Sequence, residues 1–205
     1  MKEYSLWGTA DCLGSETLLY SCTADKYLPA KSISIGDSIR TMTLDDGSVC
    51  SEVYYVWKHK QMSLAYAIHL DDTTDTTVVV SPNHLVYEGT SFSTRLTVRA
   101  KNVRPGDMLI SKYGPKKVLS VEVTYSDLVN VLSYNPSLEL VNGVSISAHS
   151  YHETLYSHVF WPMQILYTMF GAGKVEVFYD SMLLPALNMF DSSIVQPVAS
   201  MLSEL

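Results

Sequence analysis

Val78-Val79-Val80-Ser81-Pro82-Asn83-His84-Leu85-Val86-Tyr87 is the stretch whose reading decides the fold. Three β-branched residues read as a buried strand. Pro82 has no N–H to give a ladder, so the strand ends or turns there. An imidazole follows the Ser81 hydroxyl three positions on, and an apolar run resumes. Ser81 and His84 then share one tight corner with the core behind them. Such a corner suits proton transfer, and it equally suits an ordinary turn with an ordinary histidine. The difference depends on a partner elsewhere in the chain.

Outward from this corner, residues 18–147 fall into short β-branched, Tyr-rich segments. Turn residues separate them: Asp45-Asp46-Gly47, Asp71-Asp72-Thr73, Gly114-Pro115, Asn135-Pro136 and Asn142-Gly143. This predicts an all-β body of many short strands, with Asp46-Gly47 and Asn142-Gly143 as its clearest hairpin turns. An internal repeat is also visible. Ile33-Ser34-Ile35-Gly36-Asp37-Ser38-Ile39 parallels Asn102-Val103-Arg104-Pro105-Gly106-Asp107-Met108-Leu109, each reading as strand, Gly-Asp turn, strand. The same offset carries Glu52-Val53 onto Glu122-Val123. Two β halves related by pseudo-symmetry are expected.

The chain of 205 residues suits one domain with an appended piece. Its 47% hydrophobic content suffices for a sizeable core, and the net charge of −7 argues against a nucleic-acid partner. The opening Met1-Lys2-Glu3-Tyr4-Ser5-Leu6-Trp7 has no apolar signal-peptide core, and no run is long enough to span a membrane. The three cysteines, Cys12, Cys22 and Cys50, are an odd number, so at least one thiol is free unless it pairs with another chain. Cys50 fits an alternating strand and reads as structural, and Cys22 lies near a turn with no obvious partner.

From Tyr151 the pattern lengthens. Phe160, Trp161, Met163, Ile165, Leu166, Met169 and Phe170 form one run, closed by Gly171-Ala172-Gly173. Val177, Phe178, Met182, Leu183, Leu184, Leu187, Met189 and Phe190 form a second, interrupted by Pro185. Two or three short helices are expected, broad in apolar face. Such a tail either caps the core or meets lipid.

Cys12 heads the first β segment. If that segment lies beside the corner, the thiol gains a base and a hydroxyl. Thiolate is a strong nucleophile. The carbonyl always at hand is that of Asp11. Attack there moves the acyl group from nitrogen to sulfur. His84 would protonate the departing Cys12 nitrogen, and Ser81 would hold the scissile peptide. Intramolecularity supplies an effective concentration of roughly 10⁵–10⁸ M.

Taken together, Cys12, Ile35-Gly36-Asp37, Ser81-Pro82-Asn83-His84-Leu85-Val86 and Leu140-Val141-Asn142-Gly143-Val144 resemble the Hint domain of hedgehog autoprocessing proteins and inteins, the hedgehog branch being nearer. The resemblance implies a pseudo-two-fold all-β Hint fold with a short C-terminal helical region. It divides the chain into a remnant of an N-terminal segment (1–11), the Hint domain (12–150) and a sterol- or adduct-recognition-like tail (151–205). His158-Val159-Phe160-Trp161-Pro162-Met163 and Val177-Phe178-Tyr179 resemble parts of that tail. Phe160, Trp161, Met169, Phe178 and Leu183 are its candidate substrate-binding residues.

What the resemblance implies for function is single-turnover self-cleavage at Asp11–Cys12. A thioester forms, and the N-terminal segment passes to the hydroxyl of a sterol or other lipid. Cys12, Ser81 and His84 are the expected catalytic residues. The chain departs from the family in four places. Ser81 replaces a threonine and keeps the hydroxyl. Asp11 replaces the usual glycine before the cysteine. Ala148 holds the place of a late cysteine. The hedgehog base for the sterol hydroxyl, an aspartate, would fall at about Lys58-His59, which leaves His59 either as a fourth catalytic residue, the base for that hydroxyl, or as a surface residue among lysines. His149 is followed by Ser150 rather than Asn, which argues against splicing by Asn cyclisation. A binding module that has lost activity, and thioester hydrolysis or aminolysis as in bacterial intein-like domains, are the alternatives. No cofactor is expected. His149, His152 and His158 lack the Cys or carboxylate company of a metal site, and His69 reads as structural. Membrane contact by the tail is expected, and a secretory location if the chain derives from a secreted precursor.

Overall fold

The structure, a computed structural model, describes residues 12–59, 61–71, 76–148 and 153–171, with backbone alone for 153–160. The first half of the β body contains β1 (Leu13–Gly14), β2 (Leu18–Ser21), β3 (Lys26–Pro29), β4 (Ser38–Met42), β5 (Ser48–Lys58) and β6 (Ser63–Leu70). The second half contains β7 (Thr77–Val80), β8 (Leu85–Glu88), β9 (Leu96–Arg99), β10 (Met108–Leu109), β11 (Lys116–Ser126) and β12 (Leu128–Ser133). A closing hairpin, β13 (Ser137–Glu139) and β14 (Ser145–Ser147), precedes helix α1 (Glu153–Phe170).

The strand order shows the expected pseudo-symmetry. From the central β7–β1 contact, one arm runs β6, β11, β10, β8, with β9 on β8. The other runs β12, β5, β4, β2, β3. Each strand of one arm has its counterpart in the other, and β6 and β12 are exchanged between halves. Every contact along these arms is antiparallel.

The repeated Gly-Asp turns explain why the halves match. The Asp37 carboxylate accepts the Ser34 N–H at 2.8 Å, and the Asp107 carboxylate accepts that of Arg104 at 2.7 Å. Gly36 and Gly106 take φ of +93° and +101°, a region open to glycine at low cost. Their N–H groups donate to Val53 O and Val118 O, both at 2.8 Å. Two expectations are corrected here. The residues just before each turn, Ile33-Ser34 and Val103-Arg104, follow the 3₁₀ turns Ala30–Ser32 and Ala100–Asn102 and belong to no strand. The pairing of Glu52-Val53 with Glu122-Val123 is also a coincidence of spacing, because the structural counterpart of Val53 is Val118. The loops between turn and long strand differ in length, so one offset does not hold throughout.

The core joins both halves: Leu19, Ile33, Ile39, Tyr54, Ile68, Val78, Val80, Val86, Val103, Leu109, Val131 and Ile146 are buried together. Both hairpin turns are present. Asp46 has φ of +61° between β4 and β5, and Asn142 and Gly143 have φ of +58° and +71° between β13 and β14.

Cys22 and Cys50 form a disulfide with Cα atoms 6.2 Å apart, which corrects the reading of Cys22 as unpartnered. Cys22 follows β2 and Cys50 lies on β5, so the bond reaches across β4, a proximity set by sheet order rather than sequence. Replacing both with alanine is expected to lower stability by about 3–4 kcal/mol through lost constraint on the unfolded chain. Urea unfolding at pH 7 measures it, and an unchanged midpoint refutes it.

The first apolar run of the tail is one 18-residue helix rather than short pieces, with Pro162 inside it. Gly171 closes it at φ +72°, its N–H donating to Tyr167 O at 2.8 Å. Met163 is buried, and Leu166 and Tyr167 pack on the β core. Tyr134 Oη lies 2.8 Å from Thr168 Oγ1, and Tyr167 Oη donates to Glu52. The helix is therefore a cap in part. Trp161, Ile165, Met169 and Phe170 are exposed. Among the described residues no helix is long and apolar enough to cross a membrane. The second run, with Phe178 and Leu183, lies outside the described residues.

Candidate active site

Cys12 sits where the two halves meet. The next residue, Leu13, pairs with Val80 of β7 on one side and Val129 of β12 on the other. Gly14 permits this closeness, since a Cβ there would lie 2.7 Å from the Val79 Cβ. One step back along the register, Cys12 meets Ser81. The Ser81 N–H donates to Cys12 O at 2.9 Å, and the Cys12 N–H donates to Ser81 Oγ at 3.2 Å. The expected hydroxyl thus holds the nitrogen of the Asp11–Cys12 peptide. Asp11 itself lies outside the described residues.

His59 meets the thiol from the opposite side. It follows β5, its N–H donates to Leu128 O at 2.9 Å, and its Nε2 lies 3.1 Å from Cys12 Sγ. The sequence leaves His59 as base for the acceptor hydroxyl or as a surface residue; the structure places it half-buried and facing the thiol. Its ring packs on Trp57 at 4.1 Å between centroids. Burial holds its pKa below the usual imidazole value, so it is neutral at pH 7 and able to accept a proton. Cys12 forms no disulfide among the described residues and is fully buried.

The corner has the expected shape. Val80 ends β7, and the His84 N–H closes the turn on Ser81 O at 3.1 Å. The His84 ring is enclosed, with Nε2 2.8 Å from Ser147 O. A carbonyl only accepts, so Nε2 carries the proton and Nδ1 presents its lone pair. Nδ1 is buried with no hydrogen-bond partner among the described residues. Desolvation lowers the His84 pKa to about 4, against a smaller raising effect of the Ser147 carbonyl. Ser147 arrives because β14 pairs β8 at Ile146 and Val86, a contact with no local signal in the sequence.

The remaining candidates separate from this cluster. Lys58 is exposed. His69 Nδ1 lies 3.0 Å from Thr77 Oγ1 on the neighbouring strand, in keeping with a structural role. Ala148 is buried at the end of β14. Trp161 and Met169 are exposed on α1. The Phe160 side chain, and the side chains of His149, His152 and His158, are outside the described residues. Sequence reasoning passed over Asn130, a buried amide on β12, although a polar residue inside Leu128-Val129-Asn130-Val131-Leu132 is itself a signal.

No protein-family model matches the chain, and no curated protein matches it. Solved structures do. A bacterial intein-like domain from Clostridium thermocellum superposes with TM-score 0.56 at 12% identity, over 67% of this chain and 98% of that one. The gp41-1 intein gives 0.53 at 18%, over 67% and 98%. A DnaB intein from Synechocystis gives 0.53 at 11%, again over 67% and 98%. The order of strands, the matched halves and these superpositions agree: the chain has the all-β Hint fold of inteins and intein-like domains.

Proposed function

We propose that the chain cleaves itself at Asp11–Cys12 through a thioester and passes the N-terminal acyl group to a second nucleophile. The observation that carries this reading is the setting of Cys12, with its thiol 3.1 Å from a neutral imidazole and its amide hydrogen on a serine hydroxyl. In the first step the Sγ proton passes to His59 Nε2, and Sγ bonds the Asp11 carbonyl carbon. The carbon–nitrogen bond then breaks, and the Cys12 nitrogen takes a proton and becomes an amine. His84 is the acid for that nitrogen. Its conjugate acid, of pKa about 4, is scarce at pH 7 but gives its proton readily. In the second step the incoming hydroxyl oxygen bonds the acyl carbon and loses its proton to solvent, while the carbon–sulfur bond breaks and Sγ takes back the proton held on His59 Nε2, leaving as a thiol.

The second nucleophile is a sterol or another lipid alcohol. Exposed Trp161, Ile165, Met169 and Phe170 support this as apolar surface on a helix that already caps the core, and the same surface supports membrane contact. Hydrolysis or aminolysis of the thioester is the second reading, supported by the likeness in fold to a bacterial intein-like domain. The Cys22–Cys50 disulfide supports an oxidising, secretory location.

The test is a fusion carrying a longer N-terminal segment. Hydroxylamine attacks thioesters and leaves the disulfide intact. Hydroxylamine-dependent release of the segment, ending at Asp11 as a hydroxamate, is expected. Incubation with sterol vesicles and no hydroxylamine yields an ester, an acid or an amide, which mass spectrometry separates. A fusion that stays whole in hydroxylamine refutes self-cleavage. An acid as the sole product refutes the lipid acceptor.

A further inference from the structure

Asn130 stands on the flank of Cys12 opposite Ser81. Leu13 pairs with Val129 and Gly14 with Leu128, so the next position along the register sets Asn130 across from Cys12. The Ser15 N–H donates to Asp127 O at 2.8 Å, which makes 15/127 and 13/129 the hydrogen-bonded pairs. The 12/130 position is then the open pair, where side chains on one face approach most closely. On its other side Asn130 pairs with Trp57, whose ring carries His59. The row across the sheet therefore reads Trp57, Asn130, Cys12, Ser81.

Asn130 is 6% exposed, and its Oδ1 is buried with no hydrogen-bond partner among the described residues. Buried carboxamides are nearly always paired, because leaving one unpaired forfeits its hydration. Leucine would fill this strand position at no such cost. An orphan amide beside a nucleophile is the pattern of a group waiting for a partner that exists only during reaction.

We propose that Asn130 is a catalytic residue that donates its side-chain N–H to the acyl oxygen as sulfur attacks, the oxyanion donor of the Cys12 site. This rests on the self-cleavage reading above. Attack on the carbonyl moves the π electrons onto oxygen, and collapse returns them as the carbon–nitrogen bond breaks. Ser81 Oγ already accepts the Cys12 N–H, so the leaving nitrogen is tied on the β7 side. The β12 side is left for the oxygen. Rotation of the amide brings its N–H there without breaking any bond to Oδ1. The donor is on a strand held from both edges, so it needs no reorganisation when charge develops.

Asn130→Leu and Asn130→Asp in the extended fusion test this. Removing one such donor is expected to slow hydroxylamine-dependent cleavage by about 10²–10³-fold. Asn130→Leu, relieved of an unpaired polar group, should keep or raise the urea midpoint while losing rate. Asn130→Asp keeps the shape but has no N–H, and should be equally slow. In Asn130→Leu the pH at which cleavage half-activates should stay at the wild-type value, since no charge is added beside the thiol and His59. Cleavage by either variant within threefold of wild type overturns the proposal, as does a shifted pH midpoint in Asn130→Leu, which would mean that the nucleophile has moved. If the wild-type fusion does not cleave, the self-cleavage reading falls and this role with it.

Discussion

Cys12→Ala leaves the extended fusion whole in hydroxylamine, and Cys12→Ser cleaves at least about 10²-fold more slowly than wild type. A free thiol has a pKa near 8.5 and leaves a few per cent of thiolate even unassisted, whereas a serine hydroxyl is activated only by its base. His59 is matched to the thiol, because its burial-lowered pKa leaves a lone pair at neutral pH but makes it a weak base for an alcohol. Alanine offers no nucleophile. The substitution is local: Cys12 packs with Val79, Ala65 and Leu128, and alanine removes one atom from that cluster. The fold is expected to persist, checked by an unchanged urea transition. Mass spectrometry after a day in hydroxylamine decides the matter. Release ending at residue 11 from the alanine variant would mean that another group attacks.

The protein loses about 3 kcal/mol of stability between pH 7 and pH 4 through His84 alone. Its pKa is about 4 in the fold and 6.5 in the unfolded chain. Above pH 6.5 neither state binds the proton, and the full stability is present. Between 6.5 and 4 the unfolded state is protonated while the enclosed ring is not, so stability falls as pH drops, by about 1.4 kcal/mol per unit. Below 4 both states are charged and the loss levels off. His84→Gln keeps a donor for the Ser147 carbonyl and removes the titration. Urea unfolding at pH 7, 5.5 and 4 should show wild type falling more steeply than the variant by that amount. Parallel curves would refute the burial of a neutral ring. The same variant should slow cleavage by about 10²–10⁴-fold, the usual contribution of a positioned acid.

Much of the fold is legible because its determinants are local. Gly36-Asp37 and Gly106-Asp107 specify their turns through a positive φ and a carboxylate three residues from the N–H it caps. The Ser81-Pro82 break sets the corner in the same way. The spacing of Glu52 and Glu122 misleads for the opposite reason. Equivalent strands are fixed by pairing partners, and loop lengths between the turns and the long strands β5 and β11 drift without cost. Cys22–Cys50 is not legible, since nothing near either cysteine encodes that β4 lies between them.

By itself, the sequence determined that this protein is an all-β body of two similar halves with a cysteine at its head and a serine–histidine corner about seventy residues on. Alternation, turn chemistry and the repeat are properties of neighbours along the chain. Only the tertiary structure decided what surrounds the thiol. His59 comes from the residue after β5, and Asn130 and Ser147 from β12 and β14, and they reach Cys12 and His84 through strand pairs separated by tens of residues. Their role depends on which edge is exchanged between the halves, and on which ring loses its water as a result. Those are outcomes of packing and desolvation, which no single stretch of residues records.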